Sequence, residues 1–262
     1  MTGSGQTRDT IAADLLGGWM EHGHGLLIRA LEERRQDWLT RSDVRLLEVG
    51  TTREPLPSQD STRILSEFCR THGWDFTTCD MDPQNTERAT ALFAEMGAGF
   101  IAVTAKGEDY IASQRRAFDV VYLDAYDFDH GKHSEVRQQR YEEILGARID
   151  QHACEVMHLK AIQALNHAGR RSCLVVIDDT WQDKPGRPWR GKGPLAVPWA
   201  LRNGWDLTVQ LPEYRAVVLE LQPGYYDPYR RMQRAARRVA RRFTRRGRPA
   251  TSRSIEAEVR LP

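Results

Sequence analysis

The stretch Cys173-Leu-Val-Val-Ile-Asp178-Asp179 brings an unbroken apolar run up to two adjacent carboxylates. A run of this length, rich in β-branched residues, is typical of a strand buried on both faces, as in a parallel sheet covered by helices. Ligands of open α/β sheets bind in the crevice beyond the carboxyl ends of such strands. The two aspartates are therefore candidate site residues, although an N-cap followed by a solvated turn residue would give the same letters.

A second stretch repeats the pattern, because Phe118-Asp-Val-Val-Tyr-Leu-Asp124 is another apolar segment that ends on an acid. If both strands belong to one parallel sheet, Asp124, Asp178 and Asp179 meet at the same edge. Carboxylates held so close repel one another, and a bound cation or a raised pKa relieves the repulsion. The sequence therefore predicts either a cation site or a protonated acid at this edge.

The rest of the chain alternates between strand-like and helix-like patterns. This alternation predicts an α/β fold, with a doubly wound and mostly parallel seven-stranded sheet that ends in an antiparallel hairpin. Residues 126–148 are too many for an ordinary connection, and we expect a functional insertion there. The remaining strands are expected at 45–50, 76–80 and 100–104, the hairpin at 206–221, and helices at 61–68, 86–96, 107–113, 149–165 and 194–201.

The loop after the acid pair carries Trp181, Lys184, Trp189, Arg190 and Lys192. These side chains suit a lid over an acceptor, and equally an exposed loop with aromatic anchors. The segment Gly191-Lys-Gly193-Pro194 lacks the spacing of a phosphate-binding P-loop. We interpret it as the start of a helix.

Size and composition limit the class of protein. A chain of 262 residues can hold one α/β domain with extensions. It has no apolar run long enough to span a membrane and no apolar region of a secretory signal. The four cysteines lack the spacing of a metal site. We therefore expect a cytoplasmic protein with reduced thiols.

Charge is distributed unevenly along the chain. Residues 225–262 carry twelve arginines and three acids, a net charge of +9, which leaves −7 on the rest of a chain of net charge +2. We expect an N-terminal helical segment at 1–42, a central domain at 43–222 and a basic helix and tail at 223–262. The basic segment suits weak, salt-sensitive contact with a membrane, a nucleic acid or the acidic domain itself. The N-terminal helices are a candidate contact with a second copy of the chain.

Residues 44–221 resemble, in order, the class I S-adenosylmethionine-dependent methyltransferases. Leu46-Leu-Glu48-Val-Gly50 resembles their first motif, which implies cofactor contacts at Glu48, Gly50 and Thr51. Asp80 resembles the acid after the second strand that binds the ribose hydroxyls, and Glu108 follows the third strand where the family contacts adenine. The resemblance also implies a Rossmann-like sheet and places Asp124 beside the cofactor.

Within that class, Asp124, Asp178 and Asp179 resemble the divalent-metal triad of the catechol-type and macrocin-type O-methyltransferases. The resemblance implies magnesium, which prefers oxygen ligands and lowers the pKa of a bound hydroxyl. The lysine that the catechol enzymes use as a base is replaced here by Asp127. His133, and after it His130, are the candidates for a base, since histidine titrates near neutral pH. Both could equally be solvated loop residues.

Together these features predict an S-adenosylmethionine-dependent, magnesium-assisted O-methyltransferase. Its substrate would be a hydroxylated small molecule, a sugar or a secondary metabolite. One alternative is an RNA methyltransferase that uses the arginine-rich segment as its electrostatic footprint. Another is a binding protein without enzymatic activity, because Gly50 is followed by Thr51, Thr52 and Arg53 instead of further glycines.

Overall fold

The structure, a computed structural model, describes residues 22–53, 60–168, 172–211 and 214–221. Its strands, in chain order, are β1 (Arg45–Val49), β2 (Asp75–Asp80), β3 (Ile101–Thr104), β4 (Val120–Leu123), β5 (Cys173–Ile177), β6 (Thr180–Trp181), β7 (Arg190–Gly191), β8 (Trp205–Leu211) and β9 (Ala216–Leu221). Its helices are α1 (Gly23–Arg34), α2 (Gln36–Leu39), α3 (Ser61–His72), α4 (Pro83–Glu95), α5 (Gly107–Ser113), α6 (Glu135–Leu145), α7 (Gln151–Ala168) and α8 (Ala196–Arg202).

Seven strands form one sheet in the order β3-β2-β1-β4-β5-β9-β8. The first five in this order are parallel, whereas β9 runs antiparallel to both β5 and β8. The doubly wound sheet and its antiparallel terminal hairpin are therefore confirmed. Chain order reverses between β1 and β4, so their carboxyl ends flank the crevice where such sheets bind ligands.

Helices cover both faces of the sheet. Alternate residues of each central strand point to opposite faces, which is why the apolar runs of β4 and β5 are unbroken. One face packs against α1, α2, α3 and α4, and the other against α5, α7 and α8. The four cysteines are buried as free thiols, Cys69 on the first face and Cys79 and Cys173 on the second, with Cys154 on α7.

Helix α1 is part of the central domain. Leu26, Leu27 and Leu31 are almost fully buried and belong to the same core cluster as Val176 of β5. The helix begins at Gly23 and continues through Gly25. The predicted boundary after residue 42 therefore does not separate α1 from the sheet.

Two further expectations concern the insertion at 126–148 and the basic segment at 223–262. The insertion at 126–148 contains α6, a helix that the polar sequence of the insertion did not predict. Tyr141 is the buried residue of this helix, and a single buried position gives no apolar period. The basic segment at 223–262 lies outside the described residues. No helix in the described part of the chain is long and apolar enough to cross a membrane.

Candidate active site

A cleft of about 640 Å3 opens at the carboxyl ends of β1, β2, β4 and β5. Its walls come from the turns that follow these strands, from the N-terminus of α1, from the insertion with α6 and from the turn before β9. The lining residues include His22, His24, Gly50, Thr51, Arg53, Asp80, Asp82, Lys106, Gly107, Tyr122, Asp124, Tyr126, Asp127, Arg137, Arg140, Tyr141, Asp178, Asp179, Lys192, Tyr214 and Arg215.

The turn after β1 depends on Gly50. Its φ is +102°, and a Cβ there would lie 2.5 Å from the carbonyl oxygen of Asp124. Only glycine combines this conformation with so close an approach to the end of β4. The next residue, Thr51, donates its backbone N–H to the carboxylate of Asp80 over 3.0 Å. The first motif and the acid of β2 are therefore joined at the floor of the cleft.

Asp80 is held by its neighbours on both oxygens. Besides Thr51, the backbone N–H of Asp82 lies 2.8 Å from Oδ1, and the side-chain amide of Asn85 lies 3.2 Å from Oδ2. Burial raises the pKa of Asp80, while these donors oppose that rise. The carboxylate is fixed in place. Oδ2 already accepts two hydrogen bonds, whereas Oδ1 accepts one and has a further lone pair for a ligand.

Glu48 lies beneath the cleft and does not line it. Its side chain is fully buried and accepts hydrogen bonds from the hydroxyls of Ser61, Thr62 and Thr78, over 2.6, 2.8 and 2.6 Å. Burial raises its pKa to about 7. Glu48 thus ties the start of α3 to β1 and β2, and the cofactor contact expected of it is replaced by a structural one.

Glu108 is the second residue of α5 and follows Gly107, which lines the cleft. Its side chain is 9% exposed, and its Oε2 is buried without a hydrogen-bond partner among the described residues. Burial raises its pKa. A buried acceptor left without a donor is costly to the folded protein.

The three acids at the ends of β4 and β5 do not point to a common centre. Asp124 and Asp179 converge on the ammonium group of Lys192, which bonds Oδ1 of Asp124 and lies 3.0 Å from Oδ2 of Asp179. Asp178 accepts the Tyr122 hydroxyl and, at 2.8 Å, the backbone N–H of Asp179. The three acids therefore lie at one edge of the sheet, as predicted, and Lys192 lies between Asp124 and Asp179.

The residues present do not fit the predicted magnesium site. Lys192 lies between two of the expected ligands, and Asp178 is turned towards Tyr122. No group of three histidine, cysteine or acidic side chains in the described ranges is arranged to hold a metal ion. The expected role of Asp124, Asp178 and Asp179 as a magnesium triad is therefore corrected.

Two glycines bring Lys192 to this position. Gly191, with φ +68°, belongs to the hairpin in which β6 pairs with β7, and a Cβ there would lie 1.7 Å from the carbonyl oxygen of Asp179. A Cβ at Gly193 would lie 2.3 Å from Cγ2 of Thr180. The hairpin therefore packs directly on the acid pair and folds the lysine back over it. The glycines that flank Lys192 were the available signal in the sequence.

The histidines proposed as bases lie outside the cleft. His130 is exposed, and Nε2 of His133 lies 3.0 Å from the carbonyl oxygen of Phe128. The insertion instead supplies Arg137, paired with Asp127, and Arg140, whose Nε is 2.8 Å from Asp82. The histidines that do line the cleft are His22 and His24 at the start of α1, with stacked rings 5.5 Å apart. They were missed because α1 was assigned to a separate segment.

Helix α1 also touches the acid cluster directly. A Cβ on Gly23 would lie 2.5 Å from Cγ of Asp178. The carboxyl group therefore rests against the first turn of the helix, where the partial positive charge favours an anion. Burial, together with the charges of Asp124 and Asp179, nevertheless raises the pKa of Asp178 to about 8.

Solved structures similar to this chain include three related to methyl transfer or its cofactor. They are yhhF from Escherichia coli, provisionally assigned as a methyltransferase (TM-score 0.45, 12% identity, 77% of this chain and 86% of that one), ribosomal protein L11 methylase from Lactobacillus delbrueckii subsp. bulgaricus (0.43, 14%, 75% and 76%), and a point mutant of MtNAS in complex with S-adenosylmethionine (0.43, 11%, 83% and 68%). No protein-family model and no curated protein matches. Likeness at this level carries no argument about activity, and the doubly wound α/β fold rests on the strand order.

Proposed function

We propose that the chain is an S-adenosylmethionine-dependent methyltransferase that acts on a hydroxyl group of a small molecule. The observation that carries the proposal is the buried Glu108, whose Oε2 has no donor among the described residues, next to a cleft that Gly50 and Asp80 shape. Adenosine offers donors of the required kind, an amino group for Glu108 and a ribose hydroxyl for Asp80.

The half of the cleft between β1, β2 and α5 suits the cofactor. Oδ1 of Asp80 accepts one hydrogen bond from the chain, so it can accept a second from a ribose hydroxyl. Gly50 lets the backbone approach a ligand closely. When bound, S-adenosylmethionine would supply a methyl group activated by a sulfonium sulfur. The residues of the chain hold and orient it, which is the larger part of catalysis in a direct displacement.

The other half of the cleft suits a hydroxylated acceptor. It is lined by polar side chains on three sides: Lys192 from the hairpin, His22 from α1 and Tyr214 from the turn before β9. A cleft of about 640 Å3 has the size of small-molecule sites. Hydrogen bonds from these groups would orient the acceptor oxygen towards the methyl group.

Calorimetric titration with S-adenosylhomocysteine tests the proposal. We expect the wild type to bind the nucleoside, and Glu108→Gln to bind it about ten-fold more weakly, because a hydrogen bond to a charged group contributes about 1.5–3 kcal/mol. Asp109→Asn is the matched control, since Asp109 is the exposed neighbour on the same helix turn. Its affinity should equal that of the wild type.

The stability of the protein without ligand separates a binding role from a structural one. Because Glu108 has a buried oxygen without a partner among the described residues, Glu108→Gln should melt at the wild-type temperature or above it. Absence of S-adenosylhomocysteine binding by the wild type would refute the proposed function. Equal affinity in wild type and Glu108→Gln would remove the observation on which it rests.

A further inference from the structure

A buried ammonium group lies among the acids of the cleft. Lys192 is 2% exposed, and its Nζ bonds Asp124 and lies 3.0 Å from Asp179. Its backbone N–H also donates to the carbonyl oxygen of Asp179 over 3.0 Å. The lysine is thus held by its side chain and its backbone, and the hairpin of β6 and β7 fixes where its charge lies.

The chain itself supplies polar partners for all three acids. An ionised group is buried in a protein only when it is paired and hydrogen-bonded. Lys192 is paired with Asp124 and Asp179. Asp178 receives the Tyr122 hydroxyl and the backbone N–H of Asp179, and Gly23 at the start of α1 rests against it. A divalent cation would have to displace an ammonium group that is already paired.

We propose that Lys192 takes the place of a divalent cation in this cluster, and that it presents its remaining N–H to the acceptor oxygen. An ammonium group has three donors, and two of them are directed at carboxylates within the described residues. Lys192 lines the cleft, so the third can reach a ligand. The role towards an acceptor rests on the proposed function, whereas the displacement of a metal does not.

An ammonium group at this position favours a different kind of acceptor than a magnesium ion would. Magnesium has octahedral coordination and can bind two neighbouring oxygens of one ligand. A single N–H donor binds one oxygen. The acceptor therefore needs one hydroxyl group at this point, and a vicinal pair of hydroxyls gives no advantage.

Binding of Mn²⁺, followed by electron paramagnetic resonance and calorimetry on the full chain, tests the proposal. We expect no stoichiometric binding to the wild type. Lys192→Ala removes the internal cation and leaves the acids together, so it should bind Mn²⁺ roughly ten-fold or more tightly than the wild type. Lys106→Ala is the matched control, because Lys106 also lines the cleft and is exposed. It should not gain an ion.

Two further variants keep the test decisive if Lys192→Ala folds poorly. Lys192→Gln retains a hydrogen-bond donor without the charge, and its melting temperature should rise with added Ca²⁺, since a ligand of the folded state stabilises it. Lys192→Arg keeps the charge and should show no such rise. Gain of Mn²⁺ binding in Lys192→Ala that is lost again in Lys192→Ala/Asp124→Asn would locate the ion at the cluster.

Either of two results would overturn the proposal. One is a Mn²⁺ ion bound to the wild type and lost in Asp124→Asn. The other is a folded Lys192→Ala protein that binds no ion. Both are independent of S-adenosylhomocysteine titration, so failure of this inference is distinguishable from failure of the proposed function.

Discussion

At the scale of single residues, Glu48 links pH to stability. Burial raises its pKa from 4.5 to about 7 in the folded protein. Between these values the folded state keeps a proton that the unfolded state has released, so stability falls as pH rises through this window. A shift of this size corresponds to about 3 kcal/mol above pH 7.

Replacing Glu48 by glutamine should remove this dependence. Glu48→Gln is neutral at every pH and can still bond the hydroxyls of Ser61, Thr62 and Thr78. We expect it to match the wild type near pH 4.5 and to be about 1–3 kcal/mol more stable at pH 8. Urea unfolding at both values measures the difference. Glu95→Gln, an exposed change on α4, is the control, and a variant less stable than the wild type at pH 8 would contradict the assignment.

The candidate site could be predicted in part at this scale. The apolar runs before Asp124 and Asp178 predicted that these acids share one end of the sheet, and the register of β4 against β5 brings them there. The pairing of Lys192 with these acids could not be predicted from the sequence, because it depends on a hairpin whose strands have only two residues each. His133 is close to Asp124 in sequence, yet the chain turns away before it reaches His133.

At the scale of elements, the hairpin of β6 and β7 positions Lys192, and Gly191 makes the hairpin possible. Gly191→Ala would place a methyl group against the carbonyl oxygen of Asp179, so we expect the pairing to break and the lysine to leave the acids. Two charges would then lose their partners, with a loss of about 3 kcal/mol or more in the free energy of unfolding. Thermal and urea unfolding measure this loss.

Gly186→Ala is the matched control for that change. Gly186 also has a positive φ, +82°, but a Cβ there would meet nothing within 4 Å among the described residues. Its cost should be limited to backbone strain of about 1 kcal/mol. Equal losses in the two variants would show that close packing on Asp179 does not matter.

Elements with a clear apolar period were predicted, and those without one were not. The strands β1, β4 and β5 are short, largely apolar runs, and the glycine or acid that directly follows each of them marks its end. Helix α6 buries Tyr141, whereas its other apolar residues, Val136, Ile144 and Leu145, are exposed or half-buried. No buried apolar face therefore marks the helix in the sequence. Helix α1 begins with Gly23, and the reason is its contact with Asp178, a residue far away in the chain.

At the scale of the whole molecule, the chain combines an acidic part with a basic one. Residues 225–262 carry a net charge of +9, and their role remains a prediction. We expect a chain that ends at residue 223 to bind S-adenosylhomocysteine with unchanged affinity. We expect it to lose retention on heparin, and retention of the full chain to fall as salt rises, since contact of this kind is electrostatic.

Salt dependence and deletion distinguish the alternatives for this segment. An RNA methyltransferase should lose activity on RNA when the segment is removed. A small-molecule enzyme should keep its activity, and the segment would then serve for contact with an anionic surface. Heparin retention that persists after the deletion would contradict the charge argument.

The antiparallel direction of β9 has a practical consequence. Ile177 at the cleft end of β5 pairs with Val217, and Cys173 at its far end pairs with Leu221. Leu221 therefore lies roughly 13 Å along the strand from the cleft, whereas His22 is part of the wall of the cleft. A protein that ends at residue 223 can therefore be immobilised on a sensor through its C-terminus and leave the opening accessible to ligands.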